Sequence, residues 1–596
     1  MTFSNRQQLV GSFGMVTSTH WLATASGMSI LERGGNAFDA AVAVGFVLQV
    51  VEPHLNGLGG EVPIIAYDAR EGQPLVVCGQ GPAPAMASIA GMRDLGLEIV
   101  PGSGLLPACV PGAFGAWMAL LARWGTRTVA DVLEHAIGYA ESGYPMLAST
   151  ATTIGTVSEL FAKHWPSSAA VYLRGGGAPA PGASFSNPEL ANTYRRLVEA
   201  AEAAGSDRDS GIEAARRAFY EGFVAAAVES FVTGTEALDS SGVPHRGLLT
   251  AHDMAGWRAT IEEPLTYQYR DRTVCKTGPW GQGPVFAQQL ALLSGFDLDE
   301  TEPDDPDFVH TVVECAKLAF ADREAYYGDP EFVTVPLETL LSKDYNDARR
   351  RQIDAETAST ELRPGHVDGH TPYVAGAPDH SRGNGYQAHG TGEPTVATSG
   401  RVAGDTCHLD VVDRWGNMVT ATPSGGWLQS SPVVPGLGFG TTTRGQMFWL
   451  DERSPNALAG GKRPRTTLTP TLVLKDGAPE LAFGTPGGDA QDQWTLLPFL
   501  HYIHHGLDLQ ESIEAPSFHS THFPSSFYPR DAHPAQLHIE DRFSSQTLRG
   551  LDERGHDLVQ EGPWSLGRCT GVGISADGFL TGAATQRGQQ GYAAGR

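Results

Sequence analysis

A long stretch without apolar periodicity separates two portions of this chain that do have it. Residues 363–404 are rich in Gly, Pro, His and Thr, a composition that predicts a flexible linker. Because an unstructured loop of this length is uncommon inside a compact domain, the stretch needs a specific reason. It divides the chain into residues 1–405 and 406–596, and we look for that reason where the second portion begins.

The linker ends beside a hydroxyl residue that precedes a strand pattern. The sequence there is Gly404-Asp405-Thr406-Cys407-His408. A cut between Asp405 and Thr406 would give Thr406 both a hydroxyl and an α-amine, and the pKa of an α-amine, about 7.7–8.0, lies close to neutral pH. Such an amine can act as general base for its own hydroxyl. The linker would then supply the slack that lets the new chain end leave the site.

Turn chemistry predicts a partner for Thr406. The turn Arg414–Gly416 joins the strand patterns HLDVVD and NMVTAT, and its glycine suits a left-handed position. This turn pairs Asp413 with Asn417, and the same register places Thr406 opposite Ser424. Directly opposed residues have Cβ atoms about 4.5–5.5 Å apart. We therefore expect the two hydroxyl groups to form a hydrogen bond.

A glycine loop offers a second element of chemistry. The loop Gly484–Gly488 lies between the strand pattern ELAF and a helical run from Trp494 to His505. Backbone N–H groups at such a helix start can stabilise a developing oxyanion. The loop lacks the G-K-[ST] ending of a phosphate-binding loop. Cys407 lies next to Thr406, but alternation along a strand points it to the opposite face, so we interpret it as a core residue.

Helix and strand patterns alternate in the rest of the chain. Apolar helical periodicity covers Trp21–Glu32, a second segment from Asn36 to about Val51, and Phe308–Tyr327. Asn36 is a candidate helix cap because an acidic residue follows three positions later. Strand patterns collect after residue 407, where LTPTLVL and ELAF flank the hairpin signal Lys475-Asp476-Gly477. Elements mixed in this way predict an α+β fold of packed layers.

Composition and charge exclude several classes of protein. The formal net charge of −26 argues against nucleic-acid and anionic-membrane partners, which require basic surface. No apolar run is long enough to span a membrane. The N-terminus has no apolar signal segment, and the six cysteines are scattered, so we expect a cytoplasmic protein without disulfides. His501 and His505 have the spacing of a metal pair, but Tyr502 stands where a metalloprotease needs Glu. We therefore expect neither a metal nor a cofactor.

Motifs along nearly the whole chain resemble those of the gamma-glutamyltranspeptidase family. They occur in family order and read LERGGNAFDAAVA, EPHLNGLGGE, CVPGAFGAW, AKLAFADR with YYGDP, DTCHLDVVDRWGNMV, KRPRTTLTPT and GTPGGDAQ. The resemblance implies a four-layer αββα sandwich of the N-terminal-nucleophile hydrolase type. It also implies autocatalytic cutting before Thr406, which leaves a heterodimer of residues 1–405 and 406–596 interleaved in one globular domain. Whether such heterodimers assemble further stays open.

The resemblance also assigns roles to single residues. Thr406 corresponds to the nucleophile, and Ser424 takes the place of a threonine that steadies it. Gly487 and Gly488 match the glycines that bind the oxyanion. The substrate's α-carboxylate would be bound by a hydroxyl pair, and its α-amino group by a polar side chain. The residues that match these two functions are Thr466 and Thr467 for the first and Gln446 for the second.

Several positions depart from the family pattern. Gln80 stands where the family usually has an arginine for the α-carboxylate, and Trp449 stands where it has an aspartate for the α-amino group. Gly426 replaces an asparagine. One interpretation is that neighbours compensate, with Arg465 supplying the positive charge and Asp451 the negative one. The other interpretation, which we favour, is a changed substrate, because a paired aspartate and arginine are hard to replace.

The resemblance therefore implies an amidohydrolase with acyl transfer as a second outcome. Thr406 would form an acyl-enzyme with a small-molecule amide, and water or an amine would release the acyl group. The alternative within this class is a hydrolase of a small acid amide, similar to the oxamate amidohydrolases and glutaryl or cephalosporin acylases. A different class is an uncut, inactive scaffold, which a single band on a denaturing gel would indicate.

Overall fold

Two seven-stranded sheets form the centre of the molecule. The computed structural model describes residues 5–376, 406–589 and 591–596. In spatial order, the strands of sheet I are Leu9–Gly11, Leu580–Ala584, Thr570–Ile574, Ala478–Gly484, Thr471–Lys475, Arg272–Lys276 and Leu265–Tyr269. In the same way, the strands of sheet II are Tyr592–Gly595, Gly14–Ser18, Leu409–Asp413, Met418–Ala421, Val62–Asp68, Gln73–Gly79 and Thr260–Glu262. Every neighbouring pair within these two sheets is antiparallel.

Alternating apolar residues make both faces of each sheet hydrophobic. In sheet II, Val411 packs outward against helices, whereas its neighbour Val412 packs inward against the other sheet. In sheet I, Val473 faces outward and Leu472 faces inward. Side chains therefore fill three apolar layers, which is the arrangement expected when two sheets pack together and each is covered by helices. The fold is the predicted αββα sandwich.

Helices cover the outer face of each sheet. Those packed outside sheet II include Trp21–Glu32, Ala37–Val51, Ala113–Trp124, Val129–Ser142, Ala148–His164, Pro166–Tyr172, Pro188–Ala203, Arg208–Tyr220, Phe223–Gly234 and Ala251–Ala255. Those packed outside sheet I include Gly283–Leu293, Pro306–Tyr326, Leu337–Leu340, Lys343–Arg350, Gln491–Trp494, Leu496–His504, Leu509–Glu514 and Ser545–Glu553. A smaller sheet at this side contains Phe518–Ser520, Gln536–Glu540 and Asp557–Glu561. In the described part of the chain, no helix is both long and apolar enough to cross a membrane.

The two portions of the chain contribute neighbouring strands to both sheets. Leu409–Asp413 pairs with Gly14–Ser18 on one side and with Met418–Ala421 on the other. Strand Leu9–Gly11 pairs with Leu580–Ala584 in sheet I. Hydrogen-bonded ladders and shared apolar layers therefore hold residues from both sides of position 405 in one body.

Local signals located the helix boundaries well. The first helix spans Trp21–Glu32 as predicted, and Asn36 with Asp39 forms the reciprocal cap of the next helix. The predicted helix Trp494–His505 is instead two helices, Gln491–Trp494 and Leu496–His504. A proline explains the break, because Pro498 has no N–H to donate to the carbonyl of Trp494.

The predicted linker needs a correction at its start. Gly365 donates its N–H to Asp322 at 2.6 Å, and its carbonyl accepts from the Tyr326 hydroxyl at 2.5 Å. The Tyr373 N–H donates to the carbonyl of Ala325. Residues 363–376 are therefore fixed to the helix Pro306–Tyr326, although their composition resembles that of a loop. The rest of the predicted linker, 377–404, lies outside the described residues, as does Asp405 of the expected cleavage site.

Candidate active site

The hairpin places Thr406 opposite Ser424, as the turn predicted. The strands pair in the predicted register, with Leu409 opposite Ala421, and an isolated bridge continues it to Thr406 and Ser424. Gly416 closes the turn with a φ of 82°. The Oγ1 of Thr406 lies 3.1 Å from the Oγ of Ser424, within hydrogen-bonding distance. Both side chains are buried, at 1% exposure each, so the nucleophile candidate lies in a site shielded from bulk water.

A buried ion pair that the sequence did not predict contacts Ser424. Arg444 donates from Nη2 to the Ser424 Oγ at 2.7 Å and from Nε to Glu61 at 2.6 Å. The backbones of Glu61 and Ser424 also exchange two hydrogen bonds. Since a hydroxyl accepting from Arg444 keeps its own hydrogen, Ser424 can donate that hydrogen to Thr406. Arg444 therefore helps to set the direction of the hydrogen bond at the nucleophile candidate.

The glycine loop has a backbone that only glycine tolerates. Gly487 and Gly488 have φ values of 133° and 54°, the first of which is essentially closed to other residues. A Cβ at Gly487 would lie 2.1 Å from the Trp494 ring, and one at Gly488 would lie 3.0 Å from Phe527. A short 3-10 helix, Gly488–Ala490, follows directly. The geometry fits a turn that presents N–H groups at a helix start, whereas the oxyanion role itself stays a prediction.

Cys407 lies on the opposite face from Thr406, as alternation predicted. Its Sγ donates to Glu52 at 3.1 Å and accepts from Asn56 at 3.0 Å, within the apolar layer under the helices. Burial, reinforced by the Glu52 carboxylate, raises the pKa of this thiol well above its usual value. A neutral buried thiol is a poor nucleophile, so the cysteine is a core residue.

His408 and Asp410 form a second buried network on the same side of the strand as Thr406. The His408 Nε2 lies 2.9 Å from Asp410 Oδ1, and its Nδ1 lies 3.0 Å from the Thr422 hydroxyl. Asp410 also accepts from Thr17 and Thr570, each at 3.0 Å. Thr570 belongs to sheet I and Thr17 to sheet II. The network therefore connects the two sheets at the strand Leu409–Asp413, which follows the nucleophile candidate.

The residues predicted to bind substrate differ in how far they are already engaged. Gln446 accepts from the Tyr528 N–H at 3.2 Å and donates to the Gly102 carbonyl at 3.2 Å. The Thr466 hydroxyl accepts from Leu468. Among the residues that the structure describes, the Thr467 hydroxyl has no hydrogen-bond partner although it is buried. Thr466 therefore keeps its hydroxyl hydrogen for a ligand, and Thr467 keeps both its hydrogen and its lone pairs.

The two compensating residues considered from the sequence are both occupied. Arg465 donates to Glu324 at 2.6 Å and to the Arg323 carbonyl at 3.1 Å. Asp451 pairs with Arg453 at 2.7 Å. These contacts account for both charges within the protein, so they give no support to the interpretation in which neighbours restore the family's charge pair.

Two of the departures from the family pattern, Gln80 and Trp449, differ in burial and contacts. Gln80 follows the strand Gln73–Gly79, is buried and donates to the Gly81 carbonyl at 3.0 Å. Trp449 is half-buried, and its ring lies 4.2 Å from the guanidinium carbon of Arg530. At the position where the family has an aspartate, this chain therefore has the Trp449 ring, which contacts the Arg530 cation.

Arg530 belongs to a segment that no sequence signal singled out. In this segment, Ser526 donates its N–H and hydroxyl to Asp489, at 2.7 and 2.6 Å. Phe527 packs against Gly488, and the Tyr528 N–H donates to Gln446. The segment Ser526–Arg530 therefore runs along the candidate site from the glycine loop to Gln446. It has neither strand nor helix periodicity, so only the tertiary structure reveals it.

Other clusters do not compete with this site. His310, Glu314 and His556 approach one another closely enough to hold an ion. However, Glu314 pairs with Lys317 at 2.6 Å and Arg363 at 3.2 Å, which explains the cluster without a metal. A cavity of about 740 Å³ beside His310 contains none of the predicted site residues. The Nδ1 atoms of His501 and His505 lie 3.0 Å apart.

Both the sequence and the structure of this chain are similar to those of known proteins. A sequence model of the gamma-glutamyltranspeptidase family matches residues 23–595. The glutathione hydrolase-like YwrD proenzyme of Bacillus subtilis (strain 168) is 30% identical over 98% of this chain and 98% of its own length. The oxamate amidohydrolase proenzyme of Klebsiella pneumoniae is 32% identical over 98% of this chain and 99% of its own. The solved structure of LmbA2991HD is 51% identical, covers 100% of both chains and has a TM-score of 0.93.

Proposed function

Because this chain belongs to the gamma-glutamyltranspeptidase family, we propose that it is cut between Asp405 and Thr406 and that Thr406 is its nucleophile. Like the proenzymes it resembles, the chain is an autoprocessed amidohydrolase. The observation that carries the assignment is the pair of buried hydroxyls, Thr406 and Ser424, at 3.1 Å. The proposed cut would add a free α-amine to Thr406, next to its hydroxyl.

The reaction follows from these groups. The α-amine takes the proton of the Thr406 hydroxyl as its oxygen attacks the amide carbonyl. N–H groups of Gly487 and Gly488 stabilise the oxyanion of the tetrahedral intermediate. Collapse breaks the C–N bond, and the leaving amine takes the proton from the ammonium of Thr406. Water or an acceptor amine then attacks the resulting ester, which releases the acyl group and restores the hydroxyl.

The residues predicted to bind the substrate favour an acyl group without an α-ammonium. Recognition of an ammonium needs an acceptor, and an ammonium buried without one is costly. Trp449 offers only a donor N–H and a ring face, and the ring already supports Arg530. The Thr467 hydroxyl is available for an acid group in the described structure. The preferred substrates are therefore small acid amides, the class to which the oxamate amidohydrolase relative points by its name.

Location and assembly follow from other features. The six cysteines are all unpaired thiols in the structure, which supports a reducing compartment such as the cytoplasm. The strands shared between the two portions support a heterodimer in which both products of the cut remain together.

Two measurements test the proposal. Intact mass of the purified protein should show fragments 1–405 and 406–596, and Thr406→Ala should remain uncut and inactive because it removes the nucleophile of both reactions. A screen of glutaryl, oxamoyl, simple acyl and γ-glutamyl amides should then show kcat/KM highest for an acid amide. Full activity in an uncut protein would refute Thr406 as the nucleophile. A clear preference for the γ-glutamyl compound would refute the substrate class.

A further inference from the structure

Three arginines are buried together at one side of the candidate site. Arg323, Arg465 and Arg530 are each at most 2% exposed. Arg323 contacts both Glu324 and Asp489, and Arg465 contacts Glu324. Arg530 lies within electrostatic range of both carboxylates, but in the described part of the chain it forms an ion pair with neither. Three guanidinium groups and two carboxylates leave this cluster with one positive charge in excess. A buried charge without a partner is costly, so such an excess indicates a place for an anion.

Arg530 is the member whose donors remain available. Its Nη2 donates to the carbonyls of Gln446 and Phe448, each at 2.8 Å. In the described part of the chain, its Nε and Nη1 have no hydrogen-bond partner. Burial lowers the pKa of Arg530 to about 10, so the group stays protonated at neutral pH. A fully buried cation with two idle N–H donors is rare, because buried donors are nearly always satisfied.

The surroundings of Arg530 fix its orientation. The Trp449 ring supports the guanidinium from one side at 4.2 Å. The two carbonyl contacts belong to Gln446, a predicted substrate residue, and to its neighbour Phe448. Three positions earlier in the same segment, Phe527 packs on Gly488 of the glycine loop. The segment therefore holds Arg530 rigidly beside the groups predicted to bind the acyl part of the substrate.

We propose that Arg530 binds the carboxylate of the substrate's acyl group and thereby makes the enzyme specific for acid amides. The proposal rests on the proposed function. A carboxylate accepts two N–H groups of a guanidinium in a planar, bidentate arrangement. A bound carboxylate would accept from the unpaired Nε and Nη1 donors of Arg530 and would also neutralise the excess positive charge. An ammonium in the same place would instead meet a like charge.

The test separates charge recognition from general damage. Glutaryl-p-nitroanilide carries the carboxylate, and its carboxamide analogue has nearly the same shape without the charge. Arg530→Gln should lower kcat/KM for the glutaryl compound about 100-fold, since two charge-assisted hydrogen bonds are lost, and should change the analogue less than about threefold. Arg530→Lys, which keeps the charge but not the fork, should fall between these values. Equal losses on both compounds would overturn the proposal and leave Arg530 as a support for the Gln446 backbone.

A second measurement keeps the proposal testable if the variants fold poorly or no amide is cleaved. Binding of free glutarate, of the uncharged glutaramide and of the cation 5-aminopentanamide, which has no carboxylate, to the matured wild-type enzyme is measured by calorimetry. Arg530 predicts that glutarate binds at least about tenfold more tightly than either of the others, a difference of about 1.4 kcal/mol. Tight glutarate binding without turnover would contradict the proposed reaction but support Arg530. Turnover of acid amides with equal affinity for all three compounds would support the proposed reaction but contradict the proposed role of Arg530.

Discussion

At the scale of single residues, Ser424 is the clearest test of the hydroxyl pair. It accepts from Arg444 and lies 3.1 Å from Thr406, so Ser424→Ala should slow turnover. Loss of one supporting hydrogen bond costs about 0.5–1.5 kcal/mol, which corresponds to roughly a few-fold to tenfold in rate. Ser424→Thr keeps the hydroxyl and serves as the control, with near wild-type kcat. If Ser424→Ala has an unchanged kcat, the hydroxyl pair has no part in the reaction.

Trp449 tests the substrate class. An aspartate there would accept from an ammonium and would also pair with Arg530, whose guanidinium now lies on the ring. Trp449→Asp should therefore raise kcat/KM for γ-glutamyl-p-nitroanilide and lower it for glutaryl-p-nitroanilide. Trp449→Phe keeps an aromatic face and should preserve the wild-type preference. The ratio of the two kcat/KM values is the measurement, and an unchanged ratio in Trp449→Asp would contradict the argument.

At the scale of elements, the hairpin shows what the sequence could reveal. Its turn is local, and the position of Gly416 sets the register that brings Thr406 to Ser424. The roles of Arg444 and Arg530 could not be predicted, because their contacts are not local. Both lie in segments without periodicity, and their partners are far away in sequence. Long-range pairing of charged residues leaves no local pattern from which it can be read.

The glycine loop carries a prediction at the same scale. A side chain at Gly487 would meet the Trp494 ring at 2.1 Å on a backbone with φ 133°, so Gly487→Ala should displace the turn. Loss of an oxyanion donor costs about 10²–10³ in kcat, and we expect a fall of that order, together with slower self-cutting. Gly477→Ala is the matched control: its φ is 80°, but a Cβ there meets nothing within 4 Å. Normal kcat in Gly487→Ala would exclude the loop from catalysis.

At the scale of the whole molecule, the αββα architecture was predictable only through the family resemblance. Periodicity indicated helices, strands and one hairpin, but it could not indicate that Leu9–Gly11 pairs with Leu580–Ala584. Such pairings depend on the complete packing of both sheets. They also join the two portions of the chain, so both products of the proposed cut would remain in one body.

Buried histidines predict how the whole molecule responds to acid. Burial lowers the pKa to about 3 for His20, His54, His501 and His556. In the unfolded chain a histidine titrates near about 6.5, so between these values the unfolded state binds protons that the folded state does not. The stability that these neutral histidines contribute is therefore fully present above about pH 6.5 and is lost as the pH decreases towards 3. Each such histidine contributes a slope of at most about 1.4 kcal/mol per pH unit.

The urea midpoint of the matured enzyme, measured by tryptophan fluorescence at one protein concentration, should accordingly fall from pH 7.5 through pH 6 to pH 5. His501→Gln removes one buried imidazole, so its midpoint should depend less steeply on pH than that of the wild type, whatever its stability at pH 7.5. His533 is exposed, and His533→Gln should reproduce the wild-type slope. A wild-type midpoint that stays constant over this range would mean that these histidines bind protons equally well in the folded and unfolded states. That result would contradict the argument that burial lowers their pKa.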